Sequence, residues 1–263
     1  MPASKKISGI GPPVFKFQLI FSTNNFARRL ANLNFPEGWA VLAQEQIAGR
    51  GTKGRKWHSA SGKGLYVSFI LRPQLSSLNL LPLTVGLAAV EAIQDFSKVE
   101  VRLKWPNDLV YQGKKLGGIL CEAQTSSHSL AQVVAGIGVN LNHRPSDFPA
   151  EISTGATSLY LITNQTWKAD NLFRLLGSSL QFWYNKLQKG QDNLIIERYQ
   201  KRSALAPGQG LVLSSPEGPI AGKFQGIDEK GRLQLKIGSI TRAFQASEII
   251  RILPYHGNRS KKC

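Results

Sequence analysis

The chain has 263 residues, 42% of them hydrophobic and 19% charged, which suits a folded globular protein with one substantial core plus a small satellite domain. No apolar run approaches the roughly 18 to 20 residues of a membrane span, and Lys5 and Lys6 are followed by no apolar segment before Phe15, which predicts no secretory signal. Two cysteines, Cys121 and Cys263, exclude a disulfide framework, and the formal charge of +17 comes from scattered Lys and Arg with no dense run beyond Arg259, Lys261 and Lys262.

In chain order, Phe15 to Phe21 reads as a short strand, and Ser22-Thr23-Asn24 as the N-cap of a helix marked by Phe26, Leu30 and Leu33. A strand near 39 to 44 precedes the loop Gly49-Arg50-Gly51-Thr52-Lys53-Gly54-Arg55-Lys56-Trp57, and a strand near 65 to 72 and an amphipathic helix over about Leu78 to Phe96 follow it. Next come strands near 101 to 104, 115 to 124 and 130 to 141, with Lys104-Trp105-Pro106-Asn107-Asp108 and Lys114-Lys115-Leu116-Gly117-Gly118 among them. Residues 143 to 167, rich in Ser, Thr, Pro and Asn, read as an irregular connection, and helices fall around Asn171 to Leu187 and Asn193 to Arg202. Residues 1–205 thus form a mixed α+β domain with helices packed on a central sheet. From about Ala206 the pattern changes to short alternating strands at Gly210 to Leu213, Ile220 to Phe224, Leu233 to Leu235 and Thr241 to Phe244. Their spacing, with a turn at Asp228-Glu229-Lys230-Gly231, predicts a small antiparallel barrel over 206–255, followed by a basic tail at 256–263.

Both loops place cations among glycines, where backbone N–H groups can approach an anion closely, as a phosphate or carboxylate requires. A P-loop is ruled out: ahead of Gly62-Lys63, Trp57 stands where its first glycine belongs, and Gly64 stands where its hydroxyl belongs. A dinucleotide fingerprint is ruled out too, because Gly136-Ile137-Gly138-Val139-Asn140 ends a strand instead of opening a helix. Asn107 and Asn140 offer an amide to a base edge and are candidate adenine readers; each is equally a turn residue by composition.

Ser22-Thr23-Asn24, the Gly-Arg-Gly loop through Trp57, Lys-Trp-Pro-Asn-Asp, Lys-Leu-Gly-Gly-Ile-Leu and Gly-Ile-Gly-Val-Asn resemble, in order and spacing, the motifs of the biotin protein ligases. The resemblance covers roughly residues 16 to 253. It implies a class II synthetase-like catalytic domain and an SH3-like C-terminal domain. It also implies a reaction in which biotin and ATP with Mg2+ give biotinyl-5′-AMP, and a lysine of a biotin carboxyl carrier domain then attacks the mixed anhydride. Arg50 and Lys115 are the expected catalytic cations, since the attack of a carboxylate on the α-phosphorus gathers negative charge that a planar guanidinium and a point-charge ammonium can neutralise. By the same resemblance Ser22, Thr23, Asn24 and Gln46 hydrogen-bond the biotin head group, with Arg50, Gly51, Thr52, Lys115 and Gly118 completing the biotin site. Arg50, Arg55, Trp57, Asn107, Lys115 and Asn140 hold the nucleotide. Asp108 either assists the incoming lysine, holds magnesium, or simply closes a turn.

One departure stands out: the family usually has arginine where this chain has Thr52, which implies readier release of the adenylate. Some members carry an N-terminal DNA-binding domain, which the fifteen residues ahead of position 16 are too few to hold, so the expectation is the monofunctional type without DNA binding. An acidic carrier domain is the better partner for the positive charge. Relatives often pair through the central sheet, making a homodimer possible, and the low cysteine content makes a cytoplasmic location the default. A lipoate or octanoate protein ligase of related fold and a basic nucleic-acid-binding protein are the alternative readings.

Overall fold

The computed structural model describes residues 9–124 and 132–255. The basic tail, Lys5, Lys6 and Cys263 lie outside them.

The larger domain is laid down in chain order as β1 (Gly11–Ile20), α1 (Thr23–Asn32), β2 (Trp39–Gln46), β3 (Gly64–Leu71), α2 (Leu81–Ser97), β4 (Arg102–Lys104), β5 (Asp108–Tyr111), β6 (Lys114–Gln124) and β7 (Gln132–Asn140). The strands form one mixed sheet in the order β1-β2-β3-β7-β6-β5-β4, with β1 and β2 parallel and the remaining pairs antiparallel. β3 is buried at every position because both faces are covered, so its sequence is a continuous apolar run interrupted by Ser68.

Strand alternation sends Leu65, Val67, Phe69 and Leu71 of β3 toward α2 and the long helix α5 (Ala169–Gln188), reached after the short helices α3 (Ala150–Ser153) and α4 (Leu159–Thr163). α6 (Asp192–Lys201) completes that layer. The opposite face carries α1, whose Ala27, Leu30 and Ala31 pack on Val41, Ile70 and Val134. Each fully buried Leu or Ile contributes roughly 1.5–3 kcal/mol, more than any propensity term in these helices.

Three expectations are corrected. Leu33 is 72% exposed at the C-cap of α1, because Ser22 starts the helix and the buried stripe ends at Ala31. α2 begins at Leu81 and is buried nearly all round, since it lies between the sheet and α5 and α6, so it is not amphipathic. Asp108 opens β5 and pairs with Lys104 and Gly118, so it closes the turn at residues 105–107 of the β4–β5 hairpin, as one of its expected roles required. Residues 143 to 167 hold α3 and α4, and the segment entering α4 is tied to the sheet: Lys115 N donates to Gly155 O (2.7 Å) and Thr157 N to Lys115 O (2.9 Å).

The smaller domain consists of β8 (Gly210–Ser215), β9 (Gly218–Ile227), β10 (Leu233–Ile237), β11 (Ile240–Phe244) and β12 (Arg251–Pro254) in one antiparallel sheet, ordered β11-β10-β9-β8-β12. β12, too short to announce itself, pairs with β8. Gly231 N donates to Asp228 O (2.9 Å) in the expected turn, whose Gly231 carbonyl accepts from Trp105 Nε1 (3.0 Å) and so fastens the barrel to the catalytic domain.

Candidate active site

On the α1 face of the sheet, beyond the end of the helix, the strand positions are small. Gly136 lies opposite Ser68 and Leu120, and Gly138 opposite Tyr66 and Gly118. The missing side chains leave a cavity of about 380 Å³. A Cβ on Gly136 would strike the Asn24 amide, and one on Gly138 would come within 2.5 Å of the Trp57 ring, so the floor is glycine because two functional side chains lie directly on it.

At the α1 end the polar groups form a chain. Ser22 caps the helix, its Oγ accepting from Asn25 N at 3.5 Å, so the N-cap reading and a place in the cavity lining coexist. Thr23 donates through N (2.9 Å) and Oγ1 (3.0 Å) to Gln46 Oε1, and Gln46 Nε2 donates to Ser59 Oγ (2.8 Å). Ser68 Oγ bridges Thr23 Oγ1 (2.8 Å) and Asn24 Oδ1 (2.5 Å), and Asn24 Nδ2 reaches Glu122 Oε2 (2.9 Å). Such a network holds each amide in one orientation, which a ligand bearing both donors and acceptors requires.

The glycine loop folds back on itself: Arg50 bridges Lys56, and Gly51 N donates to Arg55 O (2.7 Å). Arg55 Nη2 donates to Thr52 Oγ1 (2.8 Å), so that hydroxyl already accepts a hydrogen bond from within the loop. Lys53 adopts φ 57°, a conformation costing roughly 1 kcal/mol for a residue with a Cβ. Its Nζ donates to the Ile249 carbonyl of the barrel, and burial there, with Arg55 nearby, holds its pKa below the usual lysine range.

Arg50, in the loop after β2, and Lys115, at the start of β6 some sixty residues later, line the same cavity. Lys115 Nζ sits 2.5 Å from Asp108 Oδ1 and 5.5 Å from the Trp57 ring centroid. Asn107 Nδ2 donates to Ile119 O (2.9 Å) and Asn140 Nδ2 to Thr157 O (3.0 Å), which fixes both amides and leaves each with its oxygen and a second N–H.

Every expected biotin-site and nucleotide-site residue lines this one cavity; Asp108 stands beside it through Lys115. Sequence reasoning missed Ser68, Glu122, Asn25 and the wall formed by Phe148, Glu151 and Ile152. Ser68 had a signal, a hydroxyl inside an otherwise apolar strand, and Glu122 had one in the strand alternation Gly118, Leu120, Glu122. The wall had none, because it comes from the connection. Behind Phe148 lies His143, fully buried and stacked on it at 4.9 Å, with Tyr66 Oη 3.5 Å from its Nε2. Burial, with His58 close by, pushes the His143 pKa down to about 4.

Comparison with known proteins agrees in both domains. Residues 16–140 match the Biotin/lipoate A/B protein ligase family, and residues 211–251 match the Biotin protein ligase C terminal domain. The chain is 33% identical over 249 residues to the Bifunctional ligase/repressor BirA of Bacillus subtilis, covering 93% of this chain and 75% of that protein. It is 32% identical over 235 residues to the Biotin--[acetyl-CoA-carboxylase] ligase of Paracoccus denitrificans, covering 87% and 96% respectively. The biotin protein ligase of Aquifex aeolicus, solved in complex with biotin and ATP, superposes with a TM-score of 0.79 at 30% identity, over 93% of this chain and all of that one.

Proposed function

We infer the chemistry from one premise: the chain belongs to the biotin protein ligase family. It is an ATP-dependent ligase that activates biotin and delivers it to a carboxylase. The observation that carries the residue assignments is that Arg50 and Lys115 line one cavity together with the Thr23-Asn24-Gln46 network.

In the proposed sequence the ureido ring of biotin sits against Ser22, Thr23, Asn24 and Gln46, with its carboxylate directed toward Arg50, Gly51, Thr52, Lys115 and Gly118. A carboxylate oxygen attacks the α-phosphorus, the bond to the bridging oxygen breaks and pyrophosphate leaves. Arg50 and Lys115 balance the charge that builds on the phosphoryl oxygens, a contribution of the size known for single oxyanion donors, about 3–4 kcal/mol. The Asp108 carboxylate holds the Lys115 ammonium in place. Trp57 covers the intermediate, while Arg55, Asn107 and Asn140 contact the nucleotide. In the second step the amine of an acceptor lysine attacks the anhydride carbonyl and AMP departs.

Magnesium is expected to arrive with the nucleotide. Among the described residues no three His, Cys, Asp or Glu side chains could hold a metal ion together, and Asp108 is the candidate protein ligand. Bound there, it would neutralise phosphate charge. The acceptor we infer is an acidic carrier domain, with no role for DNA. Among the described residues no helix is long and apolar enough to cross a membrane, and a cytoplasmic location and a homodimer belong to the same proposal.

Incubation of the protein with ATP, labelled biotin or labelled lipoate, and an acceptor domain tests the reading. Transfer of biotin and not lipoate is expected. Transfer of lipoate alone overturns it, and the C-terminal match at 211–251 is the observation that favours biotin beforehand.

A further inference from the structure

We propose that Glu122 is a positioning residue for adenylation, fixing the Arg50 guanidinium at the seam between the biotin end and the nucleotide end of the cavity. The proposal rests on the assignment of the reaction above.

Glu122 projects from β6 on the same face as Gly118 and Leu120, one residue pair beyond the floor of the cavity. Its two carboxylate oxygens are divided between the two halves of the site. Oε1 lies 2.9 Å from Arg50 Nη2, and Oε2 accepts from Asn24 Nδ2 at 2.9 Å. On its other side, Arg50 Nη1 donates to Asn25 Oδ1 at 2.9 Å. A side chain with four rotatable bonds, 40% exposed and mounted on a glycine-flanked loop, is thereby pinned at both terminal nitrogens to a strand and a helix. Of the five guanidinium N–H groups, the contacts to Glu122 and Asn25 use two, so three remain for substrate oxygens. The anchor therefore orients the cation without exhausting it. It also joins the Asn24 amide to Arg50 through one rigid group, so that the acid end of a ligand meets the guanidinium when its head group meets Asn24.

A competing role is physically distinct. If Glu122 merely sequestered Arg50, neutralising it would free the cation and tighten ligand binding. If it positions Arg50, neutralising it lets the guanidinium wander and slows the step in which phosphoryl charge develops.

The test is biotin-dependent ATP–pyrophosphate exchange by the wild type, Glu122→Gln and Glu122→Asp, together with tryptic cleavage of the ligand-free proteins within residues 50–56. Glutamine keeps an acceptor for Asn24 but loses the charge. The expected result is a fall of about 10- to 100-fold in kcat with the KM for biotin changed less than about threefold, partial rescue by aspartate, and faster loop cleavage. A purely structural role would reduce the fraction of active protein, which by itself lowers the apparent kcat at unchanged KM, so kcat is referred to active sites titrated with biotin; a kcat per titrated site equal to that of the wild type overturns the proposal. An unchanged kcat and cleavage rate, or a lowered KM for biotin, overturns the proposal while leaving the ligase assignment intact. Absence of exchange by the wild type removes that assignment and this proposal with it. Should Glu122→Gln fail to fold, Asn25→Ala releases the other anchor of Arg50, and the same split is required of it.

Discussion

The Lys115 ammonium stands 2.5 Å from the Asp108 carboxylate across the β5–β6 pair, where a bulge between Leu109 and Val110 shifts the register. Without the bulge the two side chains would follow the plain alternation of paired strands; with it, the ammonium meets both the acid and the Trp57 ring. Loss of the cation removes a charge that the first step needs. Lys115→Ala is expected to lower the rate of pyrophosphate exchange by about 100-fold or more, and Lys115→Arg to restore little of it, because a planar fork does not replace a compact ammonium. Full activity of Lys115→Ala would remove Lys115 from the mechanism.

The glycine floor makes a steric prediction. Gly138→Ala places a methyl group 2.5 Å from the Trp57 ring, and Gly136→Ala drives one into the Asn24 amide. Each should destabilise the fold by about 1–3 kcal/mol, and each should weaken biotin binding. Denaturant titration and calorimetric binding of biotin measure the two effects, and a Gly136→Ala variant that binds biotin normally would separate Asn24 from the head group.

The family resemblance read from the sequence implies arginine at position 52, where this chain has Thr52, whose hydroxyl accepts from Arg55. A Thr52→Arg variant should release biotinyl-adenylate more slowly, by about tenfold if the new guanidinium makes one charge-assisted contact with it. Pre-steady-state measurement of adenylate release reads this directly. Equal rates for the two proteins would show that Lys53 or the backbone already supplies what arginine would add.

His143 should make stability depend on pH. Its folded pKa of about 4 lies below the value of about 6.5 for an exposed histidine, so the unfolded chain binds the proton first as pH falls. Its full contribution is present above about pH 6.5 and is lost as pH drops toward 4, to a total of about 3 kcal/mol. The groups facing it are His58, Tyr66, Phe148 and the Lys63–Asp147 ion pair at 3.1 Å. Asp147, whose carboxyl is held down chiefly by the Arg144 backbone N–H, titrates below this window. Urea unfolding at pH 7.5 and 4.5 should therefore show a steeper loss in the wild type than in His143→Gln, and parallel losses would contradict it.

The sequence alone determined the elements whose patterns are local: the apolar runs of β3 and β7, the N-cap at Ser22, the alternation of the barrel strands, and the ordered motifs that carry Arg50 and Lys115. It determined residue types as well, because glycine and asparagine at those spacings have few other uses. Tertiary structure decided what depends on neighbours distant in the chain. Leu33 looked like part of an apolar stripe until α1 was set on the sheet, and α2 lost its solvent face only once α5 and α6 covered it. The connection after β7 became a cavity wall through backbone hydrogen bonds to Lys115, which no residue preference announces. Glu122 shows the division most plainly: its place on β6 could be read from alternation, but its hold on Arg50, seventy-two residues earlier, exists only because the sheet order brings β6 next to β7 and beneath the end of α1.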